Sequence, residues 1–172
     1  MSGSNQNHKL ENSIATILES TQRFKLERAI GMNVNRTAFL MTEEISRRFS
    51  AHGYALSAQD FAILFRLQEQ GPMTQVEIAT VTMRDKTTIT RRINGLTKKG
   101  FVSRNACPDD RRCFRIELTE SGHQALAAMT PLVADFQQEV LCDISDEAKS
   151  ITIKTLKHIS DKLINLNAID NF

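Results

Sequence analysis

The sequence predicts a mainly α-helical protein with one small β-hairpin. Apolar residues recur at helical spacing over most of the chain. A Ser or Thr stands three residues before an acidic residue at several positions, which is the pattern of a helix start. The stretch CFRIEL, residues 113–118, instead alternates between polar and apolar residues, as a half-buried strand does. The hairpin is therefore expected between two sets of helices.

The N-terminal half of the chain predicts four helices in series. Residues 1–9 are expected to be a disordered lead-in, and residues 10–28 and 33–52 carry apolar residues at helical spacing. Ser57-Ala-Gln-Asp60 and Thr74-Gln-Val-Glu77 both have the form of a capping box, in which side chains satisfy the free N–H groups of a helix start. Each box predicts a helix immediately after its first residue.

A further helix and the hairpin follow. Asp85 is the predicted N-cap of a helix that ends near Gly100. Strands are predicted at residues 101–104 and 113–118, joined by the polar loop 105–112. The apolar side of the helix consists of Ile89, Ile93 and Leu96.

The C-terminal part predicts two more helices. Thr119 and Ser145 are their predicted N-caps. Pro131 is expected to kink the first of these helices or to mark its restart, because proline lacks a backbone N–H. Cys142 lies in an apolar run and is expected to be buried.

The charge of the chain is unevenly distributed. The formal net charge is only +2, yet residues 84–115 contain ten basic and three acidic residues, a balance of +7, which leaves −5 for the rest. A basic patch on an acidic body favours a polyanion as partner. A solvated surface would instead intersperse both signs.

The order of three helices and a basic hairpin is that of a winged helix-turn-helix, whose third helix enters the major groove of DNA. Opposite its apolar side lie Thr87, Arg91, Asn94 and Lys98, flanked by Thr88 and Thr90. Arginine reads guanine through two hydrogen bonds, whereas lysine suits phosphates. The predicted DNA contacts are Thr74, Arg84, Lys86, Thr87, Thr88, Thr90, Arg91, Asn94, Lys98, Lys99, Arg104, Arg111 and Arg112.

The hairpin loop supports the same hypothesis. Arg111 and Arg112 at its tip suit a narrow minor groove, where negative potential is concentrated. Asp109 and Asp110 are expected to orient these guanidinium groups. The alternative is a solvated turn, since Pro-Asp-Asp is turn chemistry on its own.

Residues 85–122 resemble the DNA-binding core of the MarR (multiple-antibiotic-resistance regulator) family. The resemblance rests on the DKTTxTR helix that begins at Asp85, on the LxxxGFVxR segment that begins at Leu96, on Asp110-x-Arg112, and on Leu118-Thr119-x-x-Gly122. It implies a homodimer on a palindromic double-stranded DNA operator, with the recognition helices on the order of 34 Å apart. The apolar faces of residues 10–30 and 120–165 independently favour a second copy, because a small winged module cannot cover them.

The resulting domain organisation has three folded parts. Residues 10–54 and 119–172 form the N- and C-terminal dimerisation helices, and residues 55–118 form the DNA-binding domain. The resemblance further implies a repressor that is released by a small molecule, often an aromatic acid. The candidate pocket residues are Met41, Ile45, Phe49, His52, Tyr54, Phe61 and Phe65, for which plain core packing is the alternative.

Other functions remain as alternatives. The chain could be a sequence-blind architectural or anti-repressor subunit, or a thiol-oxidation sensor through Cys107, which has arginines nearby in sequence. No phosphate loop, paired catalytic carboxylates or nucleophile motif is present, so we expect no enzymatic activity and no cofactor. The four histidines are scattered, which disfavours a metal site. With no long apolar run and no signal pattern at the N-terminus, the expected location is the cytoplasm, with no membrane partner.

Overall fold

The computed structural model describes residues 26–106 and 114–169. A short 3-10 turn, Leu26–Arg28, leads into the first long helix. The predicted helix at 10–28 lies outside the described residues except for this turn. The helices are α1 (Ile30–Ala51), α2 (Ala58–Gln70), α3 (Gln75–Thr82), α4 (Lys86–Lys98), α5 (Glu120–Leu141) and α6 (Asp146–Ile169), and the strands are β1 (Met73–Thr74), β2 (Val102–Ala106) and β3 (Phe114–Leu118).

Five helices begin at the residue that the sequence predicts as the N-cap. The side-chain oxygens of these residues accept a hydrogen bond from the backbone N–H three positions later, at 2.8–3.2 Å. The first N–H groups of a helix have no partner within the helix, so these side chains stabilise its start. The N-caps are Ser57, Thr74, Asp85, Thr119 and Ser145.

Two local expectations, for the start of the first long helix and for Cys142, need correction, and of the two alternatives for Pro131 the restart is excluded. Helix α1 begins at Ile30 rather than Asn33, from Ala29, whose side chain makes no capping hydrogen bond. Helix α5 continues through Pro131 without a restart. Cys142 is exposed rather than buried, because it lies at the C-terminal end of α5 on a side that the chain itself does not cover.

The hairpin of β2 and β3, which we call the wing, belongs to a three-stranded antiparallel sheet in the order β1-β3-β2. The predicted hairpin of β2 and β3 is confirmed, with Val102 opposite Leu118. Strand β1 was not predicted, because two residues are too few to show an alternating pattern. It pairs Met73 with Ile116 and so attaches the wing to the segment between α2 and α3.

The core lies where the helices α1 to α5 and the sheet meet. Its largest fully buried side chains include Phe49 of α1, Ile63 and Leu64 of α2, Ile116 of β3 and Met129 of α5. One continuous cluster therefore joins the winged module to the second half of α1 and to α5 as far as Phe136. Within the described ranges, no helix is long and apolar enough to cross a membrane.

Gly122 fixes the junction between the wing and α5. A Cβ atom at this position would lie 2.1 Å from the backbone oxygen of Phe101, far inside the normal contact distance. The same carbonyl accepts the backbone N–H of Thr119 at 3.1 Å, and the Thr119 hydroxyl donates to the oxygen of Gly100 at 2.6 Å. The first turn of α5 therefore rests directly on the start of β2, and only glycine leaves room for it.

Candidate nucleic-acid interface

Helix α4 divides into a buried side and an exposed side, as its spacing predicts. Ile89, Ile93 and Leu96 are at most 1% exposed. Four polar side chains lie on the opposite side and are all exposed: Thr87, Arg91, Asn94 and Lys98. The apolar anchors thus hold the helix on the core while its polar side faces outward.

The N-terminus of α4 is held by Asp85. Its carboxylate accepts the backbone N–H of Thr88 at 2.8 Å, and the hydrogen bonds from Thr88 lower the pKa of the Asp85 side chain below its usual value. The carboxylate therefore stays ionised at neutral pH.

The first two turns of α4 line a shallow groove of about 440 Å³ with Lys86, Thr87, Thr90, Arg91 and Asn94. Among the described residues, the side chains of Lys86, Thr87 and Arg91 have no hydrogen-bond or ion-pair partner. Thr90 differs, because its hydroxyl reaches both the Lys86 oxygen at 2.8 Å and Gln75 Oε1 at 3.1 Å. The groove therefore presents two free cations beside short hydroxyl side chains.

Several predicted DNA contacts already have partners within the chain. Arg104 of β2 donates to Asn94 Oδ1 and so links the wing to α4. Lys99 donates to the backbone oxygen of Ala55. The Thr74 hydroxyl caps α3, and its backbone N–H donates to Glu77 Oε2 at 2.7 Å. Arg84 is exposed in the turn between α3 and α4.

The tip of the wing lies outside the described residues. Arg111, Arg112, Asp109, Asp110 and Cys107 all belong to it, so their predicted roles stay predictions. Strands β2 and β3 run antiparallel up to residues 106 and 114, on either side of that tip.

Arg92 is the residue that the sequence reasoning missed. It was counted with the basic patch, but its guanidinium forms an ion pair with Asp60 of α2 at 2.9 Å. A helical wheel contains the signal, because Arg92 lies about 60° from Ile89 and so borders the buried side. Residue type alone does not separate it from the exposed Arg91.

The candidate pocket residues divide between core and surface. Ile45 and Phe49 are buried in the core, and the rings of Phe49 and Phe61 are 5.5 Å apart. His52 is exposed, and its Nδ1 lies 2.9 Å from the backbone oxygen of Arg48. The remaining three are half-buried (Met41 and Tyr54) or just exposed (Phe65).

Met41 lines a groove of about 660 Å³ between α1 and α5, together with Phe136 and Val140. A second groove, of about 560 Å³, lies between α1 and α6 and also includes Met41. Over residues 26–106 and 114–169, no group of three metal-ligating side chains occurs.

A helix-turn-helix whose second helix presents a polar face, followed by a β-hairpin on a three-stranded sheet, defines the winged helix-turn-helix class. Residues 56–114 match the model of the MarR family. The chain therefore carries a MarR family winged helix-turn-helix domain, and the resemblance seen in residues 85–122 is confirmed.

Several solved structures share the fold over most of the chain. AbsC, a MarR family transcriptional regulator from Streptomyces coelicolor, is 27% identical and has a TM-score of 0.69, with 78% of this chain and 90% of AbsC covered. BpsR of Bordetella bronchiseptica, whose DNA binding is regulated by 6-hydroxynicotinic acid, is 20% identical with a TM-score of 0.73, covering 80% and 97%. MepR of S. aureus, in complex with DNA, is 19% identical with a TM-score of 0.70, covering 80% and 98%.

Proposed function

We propose that this protein is a sequence-specific, double-stranded DNA-binding transcriptional regulator. The observation that carries the proposal is the exposed face of α4, which combines hydroxyls with cations that have no partner among the described residues, while the helix itself is fixed on the core. The DNA complex of MepR, which shares the fold, supports DNA as the partner.

In this proposal, residues 86–98 lie in the major groove. Arg91 reads a base edge, because its guanidinium has two parallel donors and no competing partner within the described chain. Lys98, in the last turn, contacts the phosphate backbone. The loop at the tip of the wing, residues 105–112, enters the minor groove through Arg111 and Arg112, and Asp109 and Asp110 orient these two side chains.

The protein acts as a homodimer through its N- and C-terminal helices, residues 10–54 and 119–172. Helix α6 supports this step, because none of its side chains described, up to residue 166, is buried. Its exposed residues include Ile151, Ile153, Leu156 and Leu163. Apolar surface of this extent marks an interaction site, and a two-fold dimer then places two copies of α4 on a palindromic operator.

Regulation is proposed as repression that a small aromatic effector relieves. The ligand regulation of BpsR supports this step. The grooves beside Met41 are mainly apolar with a polar rim, which suits a compact aromatic ligand.

The test begins with selection of genomic fragments that bind the protein at moderate salt, followed by affinity measurements on the recovered site and on a scrambled duplex. Arg91→Ala should lower the preference for the recovered site by about 10-fold, since a good base contact contributes about 1–3 kcal/mol of discrimination. Lys98→Ala should weaken the binding of both duplexes to the same extent. It should also lower the number of ions released on binding, measured from the salt dependence of the affinity, by about one.

Two results would contradict the proposal. An unchanged preference in Arg91→Ala would show that this face does not read bases. Recovery of random fragments by the wild-type protein would instead support a sequence-blind architectural role.

A further inference from the structure

We infer that Asp60 is a positioning residue that sets the rotation of α4 through Arg92. The inference rests on the proposed function of α4. It concerns how this helix is aimed rather than which of its residues touch DNA.

The contact is a fork of hydrogen bonds. Arg92 Nη1 donates to Asp60 Oδ1 at 2.9 Å and to Ser57 Oγ at 3.0 Å, and Arg92 Nη2 donates to Gln59 Oε1. The side chains of Arg92 and Asp60 are only 21% and 14% exposed. A planar guanidinium held at two nitrogens has little rotational freedom, and partial burial reduces screening by water.

Asp60 uses its two carboxylate oxygens for different tasks. Oδ2 accepts the backbone N–H of Ser57 at 3.0 Å and the Ser57 hydroxyl at 2.9 Å, which completes the capping box of α2. Oδ1 receives Arg92. The start of α2, itself fixed by a capping box, is therefore also the support for the middle of α4.

The support continues into α1. The backbone N–H of Ala58 donates to Ser46 Oγ at 3.1 Å, and the Ser46 hydroxyl donates to the oxygen of Thr42 at 2.7 Å. The recognition helix is thus connected by hydrogen bonds through the first turn of α2 to α1, one of the proposed dimerisation helices.

The geometry explains why such a support is needed. Ile89, Ile93 and Leu96 determine which side of α4 faces the core, but aliphatic contacts are non-directional and fix the exact rotation about the helix axis less sharply than a hydrogen-bonded fork does. Arg92 is one residue from Arg91, about 100° around the helix. Fixing the Arg92 guanidinium therefore fixes the direction in which Arg91 projects.

The experiment uses the full-length protein and compares Asp60→Asn with Glu69→Gln. Asparagine retains an oxygen acceptor for the α2 cap but removes the charge that holds Arg92. Glu69→Gln is the matched control, because it removes the same charge from the same helix and breaks the Arg66–Glu69 ion pair of 3.0 Å, without touching α4. Affinities are measured for the selected operator and for a scrambled duplex.

Asp60→Asn should lower operator affinity about 10-fold or more and leave affinity for the scrambled duplex within about two-fold, since misaimed base contacts are lost while phosphates are still attracted. Glu69→Gln should leave the ratio of the two affinities unchanged. The conservative variant Asp60→Glu keeps the charge and should retain most of the operator preference. A merely structural role would reduce the active fraction for both duplexes together and leave the ratio unchanged.

Three outcomes would overturn the inference. One is an unchanged ratio in Asp60→Asn. Another is a uniform gain in affinity for both duplexes, which would show that Asp60 only neutralises Arg92 and that Arg92 is a phosphate contact. A third is an equal loss of operator preference in Asp60→Glu and Asp60→Asn, which would show that the charge of Asp60 is not what positions Arg92. If the wild-type protein itself binds the selected operator and the scrambled duplex equally well, the proposed function fails as well.

Discussion

Helices α4 and α6 differ in how completely their own chain supports them. Helix α4 has 13 residues, a side-chain N-cap, three buried aliphatic residues and an ion-paired arginine. Helix α6 has 24 residues, and its described side chains are exposed apart from the half-buried Lys149 and Ile159. Helix α4, which we propose faces DNA, is therefore well supported by its own chain. Helix α6 instead leaves apolar side chains exposed, and in the proposed homodimer a second copy covers them.

The largest effect is expected from placing a charge on the apolar side of α6. Leu156→Glu should raise the dimer dissociation constant at least about 100-fold, because a carboxylate without a partner is costly to bury. Sedimentation velocity over a range of concentrations measures the change. Lys154→Glu, at an exposed position about 200° away around the helix, is the matched control and should leave the dimer intact. Equal behaviour of the two variants would contradict the assignment of α6 to the dimer interface.

The junction of wing and α5 should respond next. Gly122→Ala is expected to destabilise the protein by about 1–3 kcal/mol, since its Cβ would collide with the Phe101 carbonyl and force the helix to shift. Gly95→Ala in α4 has nothing within 4 Å of the added Cβ and should stabilise the fold by about 0.5–1 kcal/mol. Urea unfolding measures both. A neutral Gly122→Ala would mean that α5 is not seated on β2 as described.

The smallest effect is expected on the stability of the protein when the pH is lowered. Glu44 of α1 receives hydrogen bonds from Arg47 and Arg48, which lower the pKa of its carboxyl group to about 2. Because the folded pKa lies below the unfolded value of 4.5, the stabilisation by Glu44 is complete above about pH 4.5 and is lost as the pH falls towards 2. The difference in thermal stability between wild type and Glu44→Gln should shrink over this window.

The neighbouring Glu43→Gln provides the comparison for that measurement, since Glu43 has no ion pair within the described part of the chain. A difference between wild type and Glu44→Gln that stays constant from neutral pH down to pH 2 would be inconsistent with this ion pair. Arg48 also pairs with Glu139 of α5 at 2.8 Å and lies over the ring of Phe136, so Glu44 contacts the arginine that links α1 to α5.

The sequence predicted those parts of the fold that local chemistry determines. Ser57, Thr74, Asp85 and Thr119 were readable as helix starts because a cap depends only on residues three positions apart. The buried and exposed sides of α4 were predictable from the helical spacing of its apolar residues. Strand β1 was missed, because its pairing with β3 joins residues more than forty positions apart.

The candidate site shows the same boundary between local and long-range information. Arg91 and Arg92 are identical in type and adjacent, and only the position of Asp60 in the fold separates a free cation from a paired one. The expectation for Cys142 was wrong for a related reason. An apolar run in a helix does not show which of its residues face the core of the same chain.

Gly122 has a practical consequence for protein engineering. The predicted module boundary at Leu118 would separate β3 from a helix turn that rests on the start of β2. A chimera that exchanges the DNA-binding module between relatives should therefore carry residues 119–122 with the transferred segment. A crossover placed beyond this glycine keeps the contact between α5 and the start of β2 within one parent sequence. A crossover placed before it combines the two sides of this contact from different proteins.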